Sequence, residues 1–158
     1  MNFWQRLTTA VGTRRLLKVL RFYPPYLGAG IRVIHADAQL RQVEVEMRLT
    51  RWNQNYVGTH FGGSLYAMCD PFYMLMVIEN LGPGHVVWDK AASIDFIKPG
   101  RGLVRARFTL SDEQLATIHA EVAQSGKSYP QFETTVVDEQ GEVVARVGKL
   151  LSVRKKAA

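Results

Sequence analysis

The chain of 158 residues contains a single cysteine, Cys69, which excludes a disulfide framework and any all-cysteine metal site. No charge-free apolar run reaches the roughly 18 residues of a membrane span. There is no phosphate loop or dinucleotide fingerprint, and Ser64 lacks the surroundings of a nucleophile elbow. The four histidines, His35, His60, His85 and His119, show no metal-ligand spacing. Neither a metal nor a bound cofactor is expected. What is present is ordinary for a folded chain: 47% hydrophobic and 22% charged residues exclude disorder and low complexity. The length suits a single domain, 1–158.

Acidic residues are missing from the chain's ends. Residues 1–21 carry Arg6, Arg14, Arg15, Lys18 and Arg21 and no acid, and Arg154, Lys155 and Lys156 lie near the C-terminus. The middle is therefore slightly acidic, although the net charge is +6. A nucleic-acid domain more often spreads its basic stripe over a folded face, so nucleic acid is not the expected partner. Phe3, Trp4, Leu7, Val11, Leu16, Leu17 and Leu20 mix with the N-terminal cations and suggest an amphipathic helical segment over 1–22, packed on the domain. A membrane-surface role for residues 1–21 is the sharper, less favoured reading. The apolar stretches are too interrupted for a secretory peptide, and a cytoplasmic location is expected. Pro24-Pro25 ends this segment, and Gly28 and Gly30 mark a turn.

Strict alternation of period two then predicts strands. Ile31, Val33 and His35 alternate with polar positions, and after a turn at 37–40 so do Val43, Val45, Met47 and Leu49. Residues 64–81 are apolar nearly all round, as in a buried helix, and Gly82-Pro83-Gly84 stops it. Val86, Trp88, Lys90, Ala92, Ile94 and Phe96 are expected on one strand face. Strands are also predicted over 103–110, 128–137 and 142–153. A polar helix or loop begins at Ser111, with Ser111 a candidate N-cap and Gln114 three residues on. Strands gathered around one central helix argue an α+β fold with an antiparallel sheet wrapped on that helix.

Chemistry points to three places. Asn55-Tyr56-Val57-Gly58-Thr59-His60-Phe61-Gly62-Gly63 leads straight into the buried helix. Gly62-Gly63 admits close backbone approach, and the helix start offers unpaired N–H groups that can polarise a carbonyl. A Gly-Gly before a helix serves equally as a plain turn. Asp70 is the only charge between Arg51 and Glu79. Inside an apolar helix it is either a general base or nucleophile, or an N-cap before Pro71. Lys90, on an otherwise apolar face, is a candidate for an acyl or phosphate group, or a snorkelling side chain. Lys98, Arg101, Arg105, Arg107, Arg146 and Lys149 are strand-borne and expected mostly on solvated faces. Cys69 is expected to be buried filler.

The run from Asn55 to Asp70 resembles the hot-dog-fold acyl-CoA thioesterases of the PaaI-like branch. Their pattern is Asn-x-x-Gly-Thr-x-His-Gly-Gly, with an Asp seven residues after the second Gly. Asn55, Gly58, Thr59, Gly62, Gly63 and Asp70 match in spacing. The family's histidine is Phe61 here, and His60 stands one position earlier. The blocks 24–33, 51–76 and 87–102 also resemble a hot-dog group of proposed tetrameric thioesterases, so the likeness covers nearly the whole chain.

The resemblance implies hydrolysis of an acyl-CoA or related thioester without a cofactor. Asp70 would be base or nucleophile, the Gly63 N–H would face the thioester oxygen, and Asn55 would orient the attacking water. Gly62, Thr59, His60, Phe61, Ser64 and Lys90 would line the substrate site. It further implies a homodimer or a dimer of dimers, with the pocket between subunits and an apolar acyl pocket beside the Met-rich helix. Two rival readings remain: a non-catalytic acyl-CoA binding module, and a hydratase or dehydratase pairing His60 with Asp70.

Overall fold

The structure is a computed structural model that describes Leu17 and residues 20–156. The expected N-terminal helical segment falls almost wholly outside these residues. Of it, Leu17 and Leu20 are described as buried, and Leu20–Phe22 forms a 3-10 turn. The 3-10 turn stops at Phe22, ahead of Pro24-Pro25, and the two prolines open a new helix, α1 (Pro24–Ala29), with proline in its first turn. That turn's N–H groups have no intrahelical acceptor, so the missing donors cost nothing there.

Seven antiparallel strands make one sheet. They are β1 (Ile31–Ala36), β2 (Gln42–Arg48), β3 (His85–Phe96), β4 (Leu103–Thr109), β5 (Lys127–Ser128), β6 (Gln131–Val137) and β7 (Val143–Lys155), in the order β1-β2-β4-β6-β7-β3 with β5 beside β7. The expected strand over 128–137 is two short ones, parted at Tyr129-Pro130, where proline has no ladder donor. The turn at 37–40 is closed by Asp37, whose Oδ1 accepts from the N–H of Arg41 at 2.7 Å and of Gln42 at 3.1 Å.

The sheet wraps a helical rod in two segments, α2 (Gly62–Ala67) and α3 (Phe72–Leu81). They are joined by a tightened turn in which the N–H of Cys69 reaches the carbonyl of Tyr66 at 2.8 Å. Pro71 has no N–H to continue an α-helical ladder. The single helix expected over 64–81 is therefore interrupted, and Asp70 stands at the interruption. Met68, Cys69, Phe72, Met76 and Val77 have no exposed surface. They pack on Val45, Met47, Phe108, Val147 and Leu151 of the sheet. Phe72 and Phe108 lie 4.9 Å apart, and Tyr73 stacks on Phe132 at 4.5 Å. Met68 and Met76 of the rod are spent on this core.

Helix α4 (Asp112–Ser125) begins with the expected capping box. Ser111 Oγ accepts from the Gln114 N–H at 3.1 Å, and Gln114 Oε1 accepts from the Ser111 N–H at 2.9 Å.

The single face expected for β3 is broken by a register shift between Asp89 and Ala91. Asp89 pairs with Leu151 and Ala92 with Lys149. Paired residues share a face, so Asp89, Ala92 and Ile94 look toward the rod, and Lys90 is the extra residue of the bulge. β3 ends the sheet, and none of its twelve residues is buried.

Candidate active site

The interrupted rod presents Tyr66 and Asp70, four residues apart and so on one helical face. Tyr66 Oη donates to Asp70 Oδ1 at 2.7 Å. On β7, Ala145, Val147, Leu151 and Val153 point inward and are fully buried. Lys149 has the same parity, and its side chain has no exposed surface. Its Nζ donates to Asp70 Oδ1 at 3.0 Å and to Tyr66 Oη at 3.1 Å. Asp89, brought inward by the bulge, places its own Oδ1 2.9 Å from Nζ. This contact lies off the hydrogen-bonding angle, leaving that buried oxygen without a hydrogen bond. It is an ion pair of charge with charge.

The electrostatics follow from burial and neighbours. Burial works against the Lys149 charge, but the adjacent Asp89 carboxylate and the bonds to Tyr66 and Asp70 more than reverse it, and its pKa rises above the usual lysine value. Asp89 is raised, chiefly by burial, against the lowering effect of Lys149. The Tyr66 hydroxyl is raised by burial and by donating to Asp70. Burial pushes the Cys69 thiol up to about 12. A thiol held that far from ionisation is no nucleophile at neutral pH, in keeping with the filler reading.

Asp70 is less enclosed than the sequence suggests. Its side chain retains 48% of its surface, and its Oδ2 has no hydrogen bond among the described residues. The capping alternative is not realised, since α3 starts after Pro71 with no side-chain cap. Asp70 is also not a lone charge, having Lys149 and, beyond it, Asp89.

Asn55, Thr59 and His60 come together in one loop. Asn55 Nδ2 donates to Thr59 Oγ1 at 2.9 Å and to the His60 carbonyl at 3.2 Å, while its Oδ1 accepts from the N–H groups of Val57 and Thr59. The Asn55 amide is thus engaged within the loop. His60 is 3% exposed, and its Nε2 lies 3.1 Å from the Gly102 carbonyl. That acceptor assigns the ring proton to Nε2, and Nδ1 is buried without a partner. No hydrogen bond or ion pair among the described residues joins His60 to Asp70.

Gly62 and Gly63 are needed for close approach. A Cβ on Gly62 would meet the Phe96 ring at 2.8 Å, and one on Gly63 would meet the Phe61 ring at 2.5 Å. Phe61 and Ser64 line a groove of about 280 Å³ beside Pro24, Gly28 and Trp52. A larger groove, about 490 Å³, is lined by Ala92, Ser93, Phe132, Gly148 and Lys149 among others. Lys90 is not among the lining residues of either groove; its Nζ sits 4.1 Å from the centre of the Tyr129 ring.

An antiparallel sheet curled around a central helical rod defines a hot-dog-fold protein. Solved structures share the fold. A probable thioesterase of Pseudomonas aeruginosa aligns with a TM-score of 0.80 at 22% identity, covering 90% of this chain and 96% of that one. A thioesterase of Haemophilus influenzae gives 0.65 at 17%, covering 88% of each. The Escherichia coli PaaI protein of the phenylacetic acid degradation operon gives 0.61 at 18%, covering 94% and 97%. No curated protein matches by sequence. Residues 12–153 match the model of a domain of unknown function, DUF4442, and the chain belongs to that family.

Proposed function

We propose that the protein hydrolyses acyl thioesters, acyl-CoA being the substrate class, with Asp70 as general base. The observation that carries this reading is the state of the Asp70 carboxylate: Oδ1 holds two donors while Oδ2 is open on a half-exposed side chain. A carboxylate so disposed takes a proton from water as the water oxygen attacks the thioester carbonyl carbon. A carbon–oxygen bond forms, the tetrahedral intermediate collapses, the carbon–sulfur bond breaks, and the leaving thiolate takes the proton that Asp70 removed from water, which restores the carboxylate. The Gly63 N–H, in the first turn of α2, faces the carbonyl oxygen in this reading. Asn55 acts through the loop it closes, which sets the approach to Gly62-Gly63. Thr59, His60, Phe61 and Ser64 shape that approach. Lys90 is reserved for the outer, solvent-facing end of a bound thioester.

The active unit is a homodimer in this reading, since β3 is a long open edge directly beside the Asp89–Lys149–Asp70 cluster. One observation favours the alternative of binding without turnover: Phe61 stands where the PaaI-like pattern has histidine, its ring folded over Gly63. A panel of acyl-CoAs of increasing chain length, assayed by thiol detection, separates the two. Release of free thiol above background for at least one member is the expected result. Saturable acyl-CoA binding with no thiol release would leave only the binding module.

A further inference from the structure

Lys149 is a costly residue to place at the middle of β7. An ammonium taken fully out of water costs several kcal/mol unless its charge is matched. An ammonium has three donors and no acceptor; here two bond Asp70 and Tyr66, and the Asp89 carboxylate faces the ammonium as an ion pair. Neutralising Asp70 does not account for it. Asp70 is half exposed, and water alone would solvate its charge. What Lys149 adds is geometry. A carboxylate on a short, half-exposed side chain turns freely about its last torsion, and its two oxygens exchange places. With Tyr66 and Lys149 both bonded to Oδ1, that turn is blocked and Oδ2 is the oxygen left open. Asp89 holds the ammonium from the neighbouring strand, so Lys149 cannot swing away.

We propose that Lys149 is a positioning residue, which together with Tyr66 pins Oδ1 of Asp70 so that Oδ2 is the oxygen presented to the reacting water, and that Asp89 in turn pins Lys149. This deepens the reading of thioester hydrolysis and rests on it. Elements packed around Asp70 bring few other ionisable groups. Tyr66 and Cys69 come from the rod, Tyr26 from α1, Asp89 from β3 and Lys149 from β7. Burial keeps the Tyr26, Tyr66 and Cys69 protons in place at neutral pH. Among the described residues, Lys149 and Asp89 are the charges that face this cluster with Asp70.

The pinning is testable by kinetics. In Lys149→Met, Oδ1 of Asp70 keeps one donor of two and the carboxylate is free to turn, so kcat should fall about ten- to a hundredfold with KM little changed, and Lys149→Arg, which keeps a charged donor, should recover part of the loss. In Asp89→Asn, Lys149 loses its ion-pair anchor, and kcat should fall in the same direction by a smaller factor. Steady-state thioesterase kinetics of the full-length wild type, Lys149→Met, Lys149→Arg, Asp89→Asn and Asp70→Asn, with folding checked by circular dichroism, decide the matter. Folded Lys149→Met with the wild-type kcat overturns the proposal. If Lys149→Met does not fold, a wild-type kcat in Asp89→Asn overturns it. The arms also separate two failures: an inert Asp70→Asn beside an unaltered Lys149→Met removes only the positioning role, whereas a fully active Asp70→Asn removes the hydrolytic reading itself.

Discussion

At the residue scale, Tyr66 and His60 show how burial and hydrogen bonding divide labour around the rod. Tyr66 gives its only proton to Asp70 at 2.7 Å. Tyr66→Phe removes one of the two donors on Oδ1 and leaves the ring in place. The expected result is a loss of about tenfold in kcat, since a hydrogen bond to a charged group is worth roughly 1.5–3 kcal/mol and each 1.4 kcal/mol is tenfold in rate; steady-state kinetics at the pH optimum measure it. His60 is a structural case. Burial lowers its pKa below 6.5, the Gly102 carbonyl opposing this, so the folded state prefers the neutral ring and the unfolded state binds the proton more readily. This stability is present above pH 6.5 and is lost as pH falls through the folded value. Thermal melts should show a drop in Tm as pH falls below that point, and His60→Gln should flatten it. An equal slope in both proteins would contradict this origin.

Which residues carried the site was only partly visible in the sequence. Asp70 stands out because it is the single charge in a long apolar stretch. Lys149 was hidden by the company of other strand-borne cations, yet it sits at the buried parity of Ala145, Val147, Leu151 and Val153, which is the signal that marks it. Tyr66 was hidden as one more aromatic in an apolar helix, although its offset of four from Asp70 puts both on one face. Asp89 was unreadable. Its inward position depends on the bulge at Lys90, and a one-residue insertion in a ladder leaves no periodic trace in an already mixed strand.

At the element scale, the alternation of apolar residues and the turn chemistry carried the strands and the α4 capping box. They failed where a single residue changes backbone bonding. Pro71 divides the rod, Pro130 divides β5 from β6, and Pro24-Pro25 starts a further helix where only a stop is expected. The capping box offers a clean measure of local energetics. Ser111→Ala removes the acceptor for the Gln114 N–H in an exposed position. It should cost about 1 kcal/mol, a fall in Tm of roughly 2–4 °C for a chain of this size, without changing thiol release. A change in activity would mean that α4 communicates with the site.

At the scale of the whole molecule, one face of the sheet is closed by the rod, and among the described residues β3 stands at an edge with no strand beyond it. β3 exposes backbone and side chains along twelve residues, an arrangement that natural sheets normally cover. A second copy pairing there is the expected cover. Analytical ultracentrifugation should then find a species of at least twice the 17.8 kDa chain mass; a monomer at assay concentration would place the whole site within one chain. Among the described residues no helix is long and apolar enough to cross a membrane. The central claim, however, concerns one oxygen pair. Asp70→Asn keeps the shape of the side chain and its contact with Tyr66 while taking away the base. Thiol release from the best acyl-CoA, measured side by side in wild type and Asp70→Asn with equal folding and equal assembly, should fall by about a hundredfold or more in the variant. Turnover equal to wild type would contradict the account.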